Sequence, residues 1–245
     1  MAAVALLAHI ASSLCCFPNY IAYANEAWGG PARVHEYLTD SNVDWGQQLK
    51  SVSKYLKERN VKECWFAYFA DGVVDTHYYG IPCHSMVTAD TLWVGQETPT
   101  PLEIDGPVLV SVSDLNSYEM GDSYLNPYKQ FQTMQPTAII DRGVYVFDGH
   151  FRVATASAMA HTQVVWRLMG EGKLPEALAE AQAAVAADSG CIMAQMALGD
   201  VLAAMGRREE ARTAYTAAWQ DAMNLQPGPR RGQLEDIRGR LARLK

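Results

Sequence analysis

The sequence predicts an α/β domain, three-layered on a mostly parallel sheet, followed by an all-α module of helical repeats. Three observations carry this. Residues 45–70 read as a helix running into an apolar strand, the second half of a βαβ unit. Two further strand-like runs follow, at 106–115 and 143–149. From residue 151 the composition becomes Ala-rich, β-branched runs vanish, and the chain resembles itself at a fixed offset.

The chain opens with "MAAVALLAHIASSLCCF", which is apolar and carries no Lys or Arg of the kind that begins a signal peptide. Sixteen residues after the Met make roughly 24 Å of helix, short of a hydrocarbon core of about 30 Å. A core helix, an atypical signal peptide and a membrane helix whose beginning lies outside this chain all stay open. The membrane helix fits best, so residues 1–17 are assigned as a partial span or apolar helix.

Gly29-Gly30-Pro31 breaks what precedes it, and Val34, Tyr37 and Leu38 suggest a short strand. A helix over 45–59 follows. Asp44 suits its N-cap, Gln47 three residues later completes a capping box, and Trp45 is expected to pack the helix onto the sheet. Leu49, Val52, Ser53 and Leu56 recur at helical spacing, and Asn60 is a plausible stop. "CWFAYFA" (64–70) is a continuous buried strand. "GPVLVSVSDL" (106–115) and "GVYVFDG" (143–149) are two more, with a short helix at 126–134 between them. The α/β domain is thus placed at residues 18–150.

The back half, 155–245, aligns with itself. "GEGKLPEALAEAQAAVAADSG" (170–190) matches "AMGRREEARTAYTAAWQDAMN" (204–224), pairing Gly172 with Gly206, Glu176 with Glu210, Ala177 with Ala211 and Ala184 with Ala218. That spacing, with Leu198-Gly199, Ala211, Tyr215 and Ala218 in place, resembles the tetratricopeptide repeat. Small residues let antiparallel helices approach, and Tyr215 fills the gap between them. The resemblance implies turns near Gly172, Ser189–Gly190 and Gly206, and a surface for a protein partner. Two copies are few for a free stack, so the module is expected to lean on the α/β domain or on the terminal helix.

Charge narrows the function classes. Residues 1–150 carry 8 Lys/Arg against 17 Asp/Glu, and 151–245 carry 12 against 10. An acidic front half disfavours nucleic acid as its partner. The five cysteines (15, 16, 64, 83 and 191) lack a C-x-x-C spacing, which argues against zinc and against a disulfide framework. An isolated Cys64–Cys83 bridge stays open.

For chemistry, Asp40, Asn42 and Asp44 alternate, which places them on one side of a strand end that leads into a helix N-terminus. Ligands of α/β sheets bind at that edge. An acidic trio with Trp45 and Gln47 suits sugar hydroxyls or a divalent cation; the alternative is a loop and cap with no ligand. His77 and Tyr79 sit among aromatics that suit either a sugar face or a core. Asp114 and Glu119 form an acid/base pair only if folding brings them together. The sequence contains no G-x-S-x-G, Walker loop, G-x-G-x-x-G or H-E-x-x-H. No catalytic or metal-ligating residue is assigned.

The run "PNYIAYANEAWGGP", then "YLTDSNVDWGQQL", a Lys-rich helix and "YYGIP", is similar to a segment of bacterial membrane glycosyltransferases. These form the dolichyl-phosphate-mannose–protein mannosyltransferase-like group, of the multi-span GT-C type. There such a phrase follows the last membrane helix and opens an extracytoplasmic C-terminal domain. Ala24 stands where the family has Phe, and Gln48 where it has Asp. The family's catalytic acids lie in the membrane half, outside this chain. The resemblance implies a piece of an enzyme that uses polyprenyl-phosphate-linked sugar, set on the outer face of a bacterial inner membrane. The piece assists donor or glycan-acceptor binding without catalysing transfer, and needs no cofactor beyond a possible divalent cation. Two alternatives stand beside it: a free-standing repeat module that binds proteins, and a small carbohydrate-active hydrolase using Asp40, Asp44 or Glu119.

Overall fold

The computed structural model describes residues 2–15, 17, 20, 30, 45–70, 73–89, 91, 99–117 and 126–244. The short strand expected near Val34 lies outside them.

Helix α1 (Ala2–Cys15) is apolar on every side, and Val4, Leu6, Leu7, Ile10 and Leu14 are all exposed, so it is not a core helix of this fold. Among the described residues no helix is long and apolar enough to cross a membrane.

Helix α2 (Leu49–Glu58) buries the stripe its spacing predicts: Leu49, Val52, Ser53 and Leu56. Its start differs from expectation. The N-cap position is Gln48, helical in its own dihedrals and without a side-chain cap bond, so the helix begins one turn later than residue 45. Its end is as expected. Asn60 takes a left-handed φ of 53°, its N–H donates to the Lys57 carbonyl, and the Val61 N–H donates to that of Leu56. Those two bonds are a Schellman cap.

Five strands form one sheet: β1 (Cys64–Ala67), β2 (Cys83–Ser85), β3 (Glu103–Ser111), β4 (Ala138–Ile140) and β5 (Val144–Arg152), in the order β2-β1-β3-β5-β4. β1 runs parallel to β2 and β3, while β5 runs antiparallel to β3 and β4. The sheet is therefore mixed, not mostly parallel. The antiparallel part comes from a hairpin at Asp141–Arg142, whose positive φ angles of 44° and 61° turn β4 back into β5. Cys64 and Cys83 are register partners, buried, and joined by a disulfide across β1 and β2.

Strand β3 stops at Ser111, not at 115. The Ser111 Oγ accepts the Asp114 N–H at 3.4 Å and donates to Asp114 Oδ2 at 2.8 Å, which opens the short helix α3 (Val112–Leu115). In the expected helix at 126–134, only Lys129–Thr133 is helical, as a 3₁₀ turn.

Five helices complete the chain: α4 (Ala154–Gly170), α5 (Leu174–Ala187), α6 (Ile192–Ala204), α7 (Arg208–Ala222) and α8 (Pro227–Arg243). The reversals fall at Gly172, Ser189–Gly190 and Gly206, where they were expected. Gly172 and Gly206 take φ of 75° and 77°, which glycine adopts without steric cost. Each closes a Schellman cap: Gly172 N–H to Met169 and Lys173 N–H to Leu168, then Gly206 N–H to Ala203 and Arg207 N–H to Leu202. Every member of the second set is offset from its counterpart as Gly206 is from Gly172. Where α6 meets α7, a Cβ on Gly199 would stand 2.3 Å from the Tyr215 ring, so only hydrogen fits there.

Both faces of the sheet are covered. On one, Leu49, Val52 and Leu56 of α2 pack on Phe66, Tyr68, Leu109 and Val146. On the other, Val108, Val110 and Phe147 meet Phe131, Ala156 and Met159, joined by Ala184, Cys191 and Ala194. The helical part thus leans on the sheet through α4 and the α5–α6 junction. It also leans on its last helix, since Ile237 and Leu244 share a core with Ile192 and Tyr215.

Candidate functional site

β1 and β3 run parallel, so their C-terminal ends lie on one edge of the sheet, where ligands of such sheets bind. The segment Trp45–Gln48 brings the chain to this edge and into α2. Trp45 is not buried against the sheet: it is 53% exposed, with its ring edge-on to Phe69 at 5.9 Å. Its backbone N–H donates to Gln47 Oε1 at 2.6 Å, which fixes the turn from inside the segment. Gly46 has φ of 89°, and a Cβ there would lie 3.3 Å from Tyr68 Oη. The chain thus passes close over the end of β1.

The edge continues onto β3. The Phe69 N–H donates to Ser111 Oγ at 3.3 Å, and that hydroxyl in turn donates to Asp114. Trp45, Phe69, Ser111 and Asp114 therefore form a connected row, from an exposed aromatic ring to a carboxylate only 9% exposed. Next to Asp114, the Ser113 hydroxyl is buried with no hydrogen-bond partner among the described residues, as is that of Ser117, where φ is 53°. An exposed aromatic ring beside polar side chains suits a polyol better than a bare anion.

Of the residues singled out by sequence, Asp40, Asn42, Asp44 and Glu119 lie outside the described residues. Trp45 and Gln47 are at the edge. His77 and Tyr79 fall elsewhere, on a 3₁₀ turn (Thr76–Tyr79) in the connection from β1 to β2. The Tyr79 carbonyl accepts the Ser53 hydroxyl at 2.7 Å on α2, and its ring meets Tyr78 edge-on at 5.4 Å. His77 is held by Asp75, whose Oδ1 accepts its N–H at 2.9 Å, and its imidazole points to solvent. They form a second aromatic group along α2.

Sequence reasoning missed Phe69 and Ser111. The signal for Ser111 was present: Ser-x-x-Asp after a β-branched run is a helix opening. The clearest electrostatic feature lies at the far edge. His150 sits between Asp105 (2.9 Å) and Glu103 (3.5 Å), beside the start of β3, and hydrogen bonding and charge from Asp105 push its pKa up. Among the described residues no group of three or more His, Cys, Asp or Glu is placed to hold a metal. No family model, curated protein or solved structure matches the chain.

Proposed function

We propose that this chain is an extracytoplasmic accessory domain of a membrane glycosyltransferase and binds the sugar of a polyprenyl-phosphate-linked donor or a glycan acceptor at the β1–β3 edge. The observation that carries this is Trp45. Within the phrase that resembles the glycosyltransferase family, this large aromatic stands half in solvent on a ligand-binding edge. In this reading the sugar's apolar face packs on the indole. Gln47 and whatever Asp40, Asn42 and Asp44 present supply hydrogen bonds, with a divalent cation as a second possible ligand of those carboxylates. The architecture is three-layered, α2 to one side of the sheet and α4 to the other. The buried Cys64–Cys83 bridge supports an oxidising compartment, and the uncharged α1 supports a membrane attachment. The chemistry of transfer stays with the membrane half of the parent enzyme.

Calorimetric titration of the chain with a short-chain polyprenyl-phosphate hexose tests this. Binding that weakens at least tenfold in Trp45→Ala, with the melting temperature unchanged, is the expected result. No binding at millimolar ligand, or equal binding by the variant, overturns it. A tetratricopeptide-like protein-binding role for α4–α7 is a second reading, favoured by the Gly199–Tyr215 fit and by the cap at Gly172 that recurs at Gly206.

A further inference from the structure

The cations of the front half are gathered in one place that the sugar reading does not use. Of the 8 Lys/Arg in residues 1–150, five fall within 50–62, where Glu58 is the only acid, although the same stretch of chain carries 17 Asp/Glu. Lys50, Lys54 and Lys57 stand at i, i+4 and i+7 on α2. That spacing aligns them along one exposed stripe, clear of the buried Leu49-Val52-Ser53-Leu56 face.

Little on the protein neutralises the stripe. Lys50 and Lys57 form no ion pair among the described residues. Lys54 meets Glu58 at 3.8 Å with both side chains well exposed, and such a pair is worth little. Asp75, the acid of the neighbouring turn, is engaged by His77, whose Nδ1 lies at 3.3 Å. The stripe borders this turn: a Cβ on Gly80 would stand 3.6 Å from Lys57 Nζ, and the Ser53 hydroxyl donates to the Tyr79 carbonyl. There Tyr78 is 84% exposed, with its ring edge-on to Tyr79, and Val73, earlier in the same connection, is 76% exposed. Lysines in a row beside an amphipathic ring suit a surface that is anionic and wet outside and apolar beneath.

We infer that this flank of α2, with the turn at Thr76–Gly80, docks on an anionic lipid bilayer. Lys50, Lys54 and Lys57 lie against headgroup phosphates, and the Tyr78 ring sits among the headgroups. Charge complementarity selects the bilayer. An extended polyanion such as RNA would soon run off the stripe and meet the acidic remainder of the front half, whereas a bilayer is a plane and touches one face only. Helix α1 adds an independent reason for lipid, since Val4, Leu6, Leu7, Ile10 and Leu14 are all exposed on it. The inference rests on the proposed membrane attachment only in choosing lipid over a soluble polyanion. A sugar titration compared with Trp45→Ala does not sense the lysines, so either reading can fail alone.

The test is co-sedimentation of the full chain, at low salt, with vesicles of phosphatidylcholine alone and of phosphatidylcholine with about one-third phosphatidylglycerol. Helix α1 contributes to both, so the readout is the ratio of the two partition coefficients. A lysine near an anionic surface is worth about fivefold in partition, so three should give a ratio of at least about tenfold that falls towards unity at high salt. The variant Lys50→Gln/Lys54→Gln/Lys57→Gln should bring the ratio close to unity with its melting temperature kept, since all three side chains are exposed. Arg208→Gln/Arg212→Gln/Arg231→Gln removes the same charge from exposed positions of the helical half and should leave the ratio standing. No preference for the anionic vesicles, or an equal loss in both triple variants, overturns the inference. RNA or polyglutamate retained through the lysines, with no vesicle preference, also overturns it and assigns the stripe to a soluble polyanion. If the triple lysine variant misfolds, the single exchanges decide, each expected to lower the ratio by about fivefold.

Discussion

The helical half and the strand edge close their chain reversals in opposite ways. At Gly172 and Gly206 each turn is completed by two backbone bonds between near neighbours in the chain. At the strand edge local bonds such as Trp45 to Gln47 are joined by groups from far away. The Phe69 N–H is met by Ser111, 42 residues on, and the Leu115 carbonyl accepts from both Asn126 (3.0 Å) and Gln132 (2.9 Å). Local closure repeats easily, which is why one cap recurs with the same offset as the helices. Distant closure makes each loop individual, which is what a binding edge requires.

The largest effect that would sharpen this contrast is on the strand side. Replacing Cys64 and Cys83 together by Ala removes a cross-link between residues 19 apart and should lower the unfolding free energy by about 3 kcal/mol in urea titrations. The same chains give a second readout. Burial pushes the Cys191 thiol up to about 12, so it should react with a thiol reagent only on unfolding, whereas the exposed Cys15 reacts at once. An unchanged stability in the double variant would mean the strands do not depend on the bridge.

A smaller effect is expected in the helical half. Gly199→Ala pushes a methyl group into the Tyr215 ring, and overpacking of about 1–3 kcal/mol is partly offset by about 1 kcal/mol of helix propensity. A net loss of about 0–2 kcal/mol by thermal melting is the outcome. A gain in stability would show that α6 and α7 tolerate separation, and the two halves would then differ less than their closures imply.

The smallest effect belongs to His150. Its folded pKa is raised above its unfolded value, so its contribution is complete below about pH 6.5 and fades as pH rises through the folded pKa. His150→Gln should therefore lower the melting temperature slightly at pH 5.5 and not at pH 8.5. The reverse order would show that Asp105 and Glu103 do not favour the protonated ring.

What could be read from the sequence follows the same division. The stripe Leu49-Val52-Ser53-Leu56, the stop at Asn60 and the turns at Gly172 and Gly206 depend on neighbours in the chain, and each stands where its spacing put it. The antiparallel side of the sheet did not show, because Asp141–Arg142 lacks the Asn-Gly or Asp-Gly of a hairpin turn and β3–β5 pairing joins residues as distant as Glu103 and Arg152. Trp45 departs from expectation for a related reason. An aromatic next to a helix is core or platform depending on what the rest of the fold leaves open beside it, and Phe69 offers only an edge. Around the candidate site, the position of Gln47 before α2 followed from its neighbours, whereas the Phe69–Ser111 bond became visible only once β1 and β3 were paired.

Ala184, Cys191 and Ala194 lie in the same apolar interior as Val108, Val110 and Phe147. Although the chain reads as two modules, a cut near Val153 would leave each piece with an unfinished interior and a wet apolar face. Recombination that swaps the helical module for another would have to carry these three positions with it. The turns at Gly172 and Gly206, whose Cα positions face open space, are where insertions would be accommodated instead.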